Sequence, residues 1–236
     1  RIRSGYDIVD NDYFRTNSSD AQQNVLIQSK KNLPPRYLLS IGRFVEKKNL
    51  FVLLKAHRRW IGEDPEAYPL VMVGEGPLES KLRDAAHDQV FFRPFARYEE
   101  LPALYGLAEA FILPSTTEQW GLTINEAMAS GCLVAASNKA GAARELIIDG
   151  TTGLRLDPTE ESILKTLRRI SSVNRSMIVQ DAYAKISRWG PQRFRDGILD
   201  LAELSQNPPD GTGSFWSSTF LFLLAYQRLS KTKNAK

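Results

Sequence analysis

Ala110-Phe111-Ile112-Leu113-Pro114-Ser115-Thr116-Thr117-Glu118-Gln119-Trp120-Gly121-Leu122-Thr123-Ile124-Asn125-Glu126-Ala127-Met128-Ala129-Ser130-Gly131-Cys132-Leu133-Val134-Ala135-Ala136 is one stretch with two short apolar runs and a helical pattern between them. Ala110 to Leu113 and Leu133 to Ala136 show no alternation of polar and apolar residues, the mark of a strand covered on both faces. Leu122 to Ser130 has the spacing of a helix, and Gly121 stands where that helix begins. The stretch predicts a β-α-β unit of a parallel sheet.

The same alternation runs outward in both directions. Upstream, Tyr37 to Ile41 predicts a buried strand ending at Gly42, and Asn49 to Trp60 a helix with Leu50, Leu53, Leu54 and His57 on one face. Leu70 to Val73 and Val90 to Phe92 predict strands, and Leu78 to Ala86 and Glu99 to Ala108 predict helices. Downstream come a short helix over Ala142 to Ile148 and a last strand near Gly153 to Leu156. The fold class that follows is α/β, a doubly wound parallel Rossmann-like sheet. Ligands of such sheets bind outside the carboxyl ends of the strands.

Beyond Pro158 the chain reads as helical and charged up to about Arg188, with a break at Trp189-Gly190-Pro191 and a further helix over Gln192 to Leu204. Residues 1 to 34 read as a polar, irregular, linker-like segment, residues 35 to 204 as the domain, and residues 205 to 236 as a linker followed by an apolar and basic tail. No internal repeat is visible.

Bulk properties exclude several classes. With 42% hydrophobic and 25% charged residues in 236, the chain is an ordinary folded protein rather than a disordered one. A formal charge of +4 suits an anionic ligand but lacks the dense basic stripe of a nucleic-acid binder, so no nucleic-acid partner is expected. The lone Cys132 heads an apolar run and reads as a core residue. His57 and His87, in or beside helices, read as surface or packing residues. No signal peptide or spanning stretch is seen, and the expected location is cytoplasmic. The apolar stretch Phe215 to Leu229 and its basic tail leave membrane association open; we expect the stretch to pack against protein rather than lie on a membrane.

The chemistry sits in the strand-to-helix loops. Glu118 and Glu126 are separated by seven residues, with Gly121 between them. The free amides of Gly121, Leu122 and Thr123 at a helix start form a natural anion site, because unpaired N–H groups and the helix dipole both favour negative charge. Carboxylates on either side of a phosphate site suit hydroxylated groups at both ends of a diphosphate, as in a nucleotide-sugar. After the first strand, Gly42-Arg43-Phe44-Val45-Glu46-Lys47-Lys48-Asn49 places two cations at the same edge, a guanidinium fork at Arg43 and a point charge at Lys48. A glutamate in a helix's first turns and a Lys-Lys pair also have ordinary surface explanations. Val73-Gly74-Glu75-Gly76-Pro77 lacks the third glycine of a dinucleotide loop and reads as a tight turn with close backbone approach.

Ser40 to Lys48, Val73 to Pro77, and Leu113 through Glu118 to Glu126-Ala127-Met128-Ala129-Ser130-Gly131 together resemble the group 1 (family 4) retaining glycosyltransferases of the GT-B fold. Asp149-Gly150-Thr151-Thr152-Gly153 resembles the turn before that family's last sheet strand. The resemblance covers roughly residues 35 to 200 and implies one half of a GT-B fold, the C-terminal donor-binding domain. By resemblance, Arg43 and Lys48 are donor-diphosphate ligands, Glu126 binds the nucleotide ribose, and Glu118 contacts the donor sugar. The amides of Gly121, Leu122 and Thr123 would hold the distal phosphate, and Pro94 lies in the loop whose backbone meets the base. Of these, Glu118, Arg43 and Lys48 carry the expected catalysis.

Two departures stand out. Pro94 replaces the commoner glycine and removes a backbone donor, and Lys139 to Glu145 replaces a Gly-Gly-x-Pro-Glu run. The resemblance implies a hexosyltransferase using a UDP-sugar or GDP-sugar as substrate, with no cofactor and no metal required. It implies a saccharide or lipid-linked acceptor. Gly5 to Phe14 resembles the linker between the family's two halves, so an N-terminal GT-B half, on the same longer chain or a separate subunit, is expected as partner. Two other readings share parts of the pattern. A non-catalytic nucleotide-sugar-binding subunit shares every donor residue, and a sugar-nucleotide epimerase shares the architecture but does not account for the Glu118/Glu126 block.

Overall fold

The computed structural model describes residues 7–23 and 33–206. Residues 7–191 form one compact unit; the helix beginning at Pro191 falls, from Gln192 on, in a second unit and is described by itself. The tail at 215–229 and most of the linker expected from residue 205 lie outside the described residues.

Among the described residues, six strands, β1 (Leu38–Ile41), β2 (Leu70–Val73), β3 (Val90–Arg93), β4 (Ala110–Leu113), β5 (Leu133–Ser137) and β6 (Leu154–Leu156), form a parallel sheet in the order β3-β2-β1-β4-β5-β6. Its registers pair Leu38 with Leu70 and with Ala110, and Ala110 with Leu133. The order reverses between β1 and β4, so the loops after these two strands flank the topological switch point where doubly wound sheets bind ligands. The doubly wound parallel sheet expected from the sequence is therefore present.

Alternate strand residues go to opposite faces, which is why the strands are apolar without interruption. Leu39, Val71, Val73, Phe111, Leu113, Val134 and Ala136 enter one core with Phe14, Tyr105 and Ile124. Leu38, Leu70, Met72, Ala110, Ile112, Leu133 and Ala135 enter the other with Leu53, Trp60, Leu82 and Leu164. The helices are α1 (Asn11–Gln23), α2 (Leu50–Glu63), α3 (Glu79–Ala85), α4 (Leu101–Leu107), α5 (Leu122–Ala129), α6 (Gly141–Leu146), α7 (Glu160–Ile170), α8 (Arg175–Ile186) and α9 (Pro191–Gln206). Among the described residues no helix is long and apolar enough to cross a membrane.

Two stretches differ from the sequence reading. Residues 11 to 23 are helical, not irregular, because the Asp10 carboxylate accepts the Tyr13 amide at 3.0 Å and Phe14 is wholly buried. The buried face of α1 is otherwise small or polar, at Asn11, Ser18 and Ala21, so it carries no clear apolar period. It packs tightly on α4 because Gly106 leaves room: a Cβ there would stand 2.8 Å from that of Ser18. The single charged helical run expected up to Arg188 is two helices. The first is capped by Thr159, whose hydroxyl accepts the Ser162 amide, with Glu160 and Glu161 in its first turn and Arg168 and Arg169 in its last. Asn174 caps the second by accepting the Met177 amide.

His57 and His87 are packing residues, stacked with ring centroids 5.0 Å apart. His57 Nε2 lies 2.9 Å from the Tyr68 carbonyl, which can only accept, so Nε2 carries the proton. His57 Nδ1 then accepts from His87 Nε2 at 3.0 Å, and His87 Nδ1 faces the Gln89 amide at 3.4 Å. Burial holds both imidazoles below their usual range, which favours the neutral rings, against the nearby Asp88 carboxylate at His87. Cys132 is buried in the core, and burial pushes its thiol up to about 12.

Candidate functional site

The loop after β1 and the turn after β2 lie against each other. Gly42 N–H donates to the Val73 carbonyl at 3.0 Å, and Phe44 N–H to the Glu75 carbonyl at 2.9 Å. A Cβ on Gly74 would come within 2.0 Å of the Gly42 carbonyl oxygen, and one on Gly76 within 2.5 Å of the Phe44 oxygen. The close approach read for Gly74 and Gly76 is therefore to the neighbouring backbone.

That contact sets the course of the chain through Arg43 to Lys48. Glu46–Lys48 forms a 3-10 turn that ends on Asn49, a non-glycine residue in the left-handed region with φ 59°. Asn49 is held there by its own side chain, whose Nδ2 donates to the carbonyls of Pro114 at 3.1 Å and Pro158 at 3.0 Å. The Thr116 amide donates to the Lys47 carbonyl at 2.9 Å. Two loops on either side of the switch point are thus fastened together, and Gly42, Arg43, Lys48 and Pro114 line one small cavity.

Lys48 and Glu118 meet directly. Their side chains are 15% and 13% exposed and form a hydrogen-bonded ion pair, with Lys47 Nζ 3.9 Å from the other carboxylate oxygen. Arg43 is exposed and has no salt-bridge partner among the described residues. Gly121, at φ 99°, caps the start of α5, and the Glu118 side chain lies over its Cα. None of the amides of Gly121, Leu122 and Thr123 donates to an acceptor among the described residues, and the Thr123 hydroxyl is buried without a partner among them. Lys48, through Glu118, and the open helix amides therefore meet at one rim, an arrangement suited to an anion with several oxygens, with Arg43 on the neighbouring loop.

Glu126 lies one turn farther along α5 and takes a different partner. Its Oε2 accepts from the Tyr105 hydroxyl at 2.8 Å. Burial raises the Glu126 carboxyl above the usual range, and the Tyr105 bond opposes that rise. Pro94 and Phe95 are exposed at the end of β3, where the Phe95 amide donates to Glu75 Oε1 at 3.2 Å.

Some supporting residues were not apparent from the sequence. The Glu118–Gly121 loop is tied to the segment after β5 by Glu118 N–H to Lys139 O at 3.3 Å, Gly141 N–H to Glu118 O at 3.2 Å and Ala142 N–H to Trp120 O at 3.0 Å. A Cβ on Gly141 would stand 2.3 Å from the Gln119 oxygen. The replaced run at Lys139 to Glu145 is therefore the brace of this loop. Trp120 stacks on Trp189 at 5.7 Å, and its indole N–H donates to Asn125 Oδ1 at 3.0 Å. Buried Asn125 in turn donates to the Asp7 carbonyl at 3.1 Å. An asparagine on the buried face of a helix is the sequence signal that could have pointed here.

Residues 22–185 match the family model described as Glycosyl transferases group 1. The chain is 36% identical over 116 residues to the uncharacterized glycosyltransferase YqgM of Bacillus subtilis (strain 168), a match covering 47% of this chain and 32% of that protein. Among solved structures, the C-terminal domain of a group 1 family glycosyl transferase (LpcC) from Francisella tularensis is 28% identical with a TM-score of 0.64, covering 78% of this chain and 100% of that one. Anabaena Alr3699/HepE, solved in complex with UDP-glucose, is 20% identical with a TM-score of 0.69, covering 84% of this chain and 56% of that one, and shows the same fold. The chain spans 32% of the length of YqgM and as little as 14% of other curated relatives it matches.

Proposed function

The chain belongs to the group 1 glycosyl transferases, matching their C-terminal GT-B domain, and from that premise we propose that its carboxyl rim binds a nucleotide-sugar donor for hexosyl transfer with retention. The observation that carries this reading is the Lys48–Glu118 ion pair beside the open amides at the start of α5, with Arg43 lining one small cavity with Lys48.

Arg43 and Lys48 hold the diphosphate, with the amides of Gly121, Leu122 and Thr123 on its distal oxygens. When the bond from the sugar's anomeric carbon to the phosphate oxygen breaks, the electron pair leaves with the nucleoside diphosphate. The two cations and the helix end stabilise that developing negative charge. Glu118 accepts hydrogen bonds from the sugar's hydroxyls and faces the positive charge that develops on the ring. Glu126 accepts from the ribose. Because Lys48 and Glu118 are already paired, the groups flanking the reacting bond are oriented before the donor arrives. The base meets the Pro94–Phe95 loop, where one backbone donor is missing. The acceptor, a saccharide or a lipid-linked one, is held by an N-terminal GT-B half.

The likeness to a protein solved with UDP-glucose supports a UDP-sugar as one candidate donor, with GDP-sugars as the other. Calorimetric titration of this chain with UDP-, GDP- and ADP-sugars tests the reading. Binding to at least one is expected, weakened about tenfold or more by Arg43→Ala, the effect of losing one charge-assisted contact. Because Arg43 is exposed, its loss leaves the melting temperature unchanged. Unaltered affinity in that variant rejects the site.

A further inference from the structure

We propose that Tyr105, on α4, is a positioning residue of the donor site: its hydroxyl holds one carboxylate oxygen of Glu126 and leaves the other for the ribose. The proposal rests on the donor reading above. Tyr105 is fully buried, with its ring edge-on to Phe111 at a centroid distance of 5.4 Å and tilted against Phe14 at 6.4 Å. A ring packed in this way cannot swing, so its hydroxyl is a fixed post. It donates to Oε2 of Glu126 at 2.8 Å, while Oε1 has no partner among the described residues. A glutamate side chain has three rotatable bonds, and tying one oxygen fixes where the second points.

The bond has a second consequence. Burial acts to protonate Glu126, and a protonated carboxyl accepts poorly from a ribose hydroxyl. The Tyr105 hydroxyl favours the ionised form and is the group opposing that tendency. Tyr98, in the 3-10 turn Tyr98–Glu100 before α4, has its hydroxyl pushed up by burial first and then by Asp10, Tyr13 and Glu126. None of these side chains is a cation, so none replaces Tyr105 in keeping the carboxylate charged.

The test measures binding of UDP-glucose and GDP-mannose to the full chain by calorimetry across a pH series; the diphosphate of either donor does not titrate near neutrality. Tyr105→Phe keeps the ring and removes only the hydroxyl. We expect affinity for the bound donor to fall about tenfold, the scale of one lost hydrogen bond to a charged group. The acidic limb of the binding curve should move to higher pH. Glu126→Gln should weaken binding and remove that limb. Adding Tyr105→Phe to Glu126→Gln should cost little more, because the hydroxyl acts through the carboxylate. Should Tyr105→Phe fold poorly, the wild-type acidic limb and its disappearance in Glu126→Gln still report whether the charge of Glu126 matters, and an absent limb overturns the proposal. If Glu126→Gln weakens binding while Tyr105→Phe changes neither affinity nor pH profile, the role of Tyr105 is refuted and the donor site stands. If neither donor binds the wild type, the donor reading falls and takes this assignment with it.

Discussion

Lys48 and Glu118, 70 positions apart in the chain, are joined in an ion pair whose side chains are 15% and 13% exposed. A pair this well shielded differs from a surface salt bridge, since each partner depends on the other for its lost hydration. Lys48→Met or Glu118→Gln alone should lower unfolding free energy by about 1–3 kcal/mol in urea denaturation. The double variant should recover part of that loss, because no charge is then left unpaired. Additive losses would show that the pair contributes nothing beyond its separate side chains.

Asn49 is the hinge pin between the loops that carry these two residues. Asn49→Ala loses both side-chain bonds to Pro114 and Pro158 and places a β-carbon residue at φ 59°. The expected destabilisation is about 2–4 kcal/mol. Asn49→Gly keeps the backbone conformation and loses only the bonds, so it should cost less. Equal melting temperatures for the two variants would contradict a role for the left-handed backbone.

Gly141→Ala should weaken donor binding without touching donor. The added carbon would meet the Gln119 carbonyl oxygen at 2.3 Å and Trp120 Cα at 3.3 Å, both within the Glu118–Gly121 loop. Displacing that loop should cost about 1–3 kcal/mol of stability as well. Gly62→Ala is the matched control, since nothing lies within 4 Å of its added carbon and it sits in a helix. It should stabilise by about 0.5 kcal/mol. Calorimetry and thermal melts of the two proteins separate the effects.

His57 makes stability fall in mild acid. Burial, the largest cause, pushes its pKa down to about 4, with the neighbouring His87 lowering it further and the Tyr68 carbonyl opposing. The unfolded value is about 6.5, so between those two values the unfolded chain binds the extra proton. The contribution is fully present above about pH 6.5 and is lost as pH falls toward the folded value, by up to about 3 kcal/mol. Urea titrations across that window should show the slope, and His57→Gln should flatten it. A wild-type stability that is level across the window would show that His57 is not held neutral.

The element order, the parallel sheet and the loop and helix start that carry Glu118 and Glu126 were legible because uninterrupted apolar strands and amphipathic helices have unmistakable periods. Arg43 and Lys48 were legible as chemistry because they follow a strand. Helix α1 was not, since its buried face is Asn11, Ser18 and Ala21 with Phe14 as the only large apolar residue. Its stability comes from the room left by Gly106, which lies far along the chain. Nor was the break between α7 and α8 visible, because Asn174 acts as a cap only where the chain turns.

The sequence by itself determined that strands and helices alternate, which faces are apolar, and that two cations and one carboxylate fall in strand-to-helix loops, with a second carboxylate one turn into the helix that follows. These are local properties, set by side-chain period and by what glycine allows. Only the tertiary structure decided who meets whom. It paired Lys48 with Glu118 and left Arg43 open, gave Glu126 to Tyr105, and set Asn49 and Gly141 as braces, because each of those contacts joins residues that only packing of the sheet brings together.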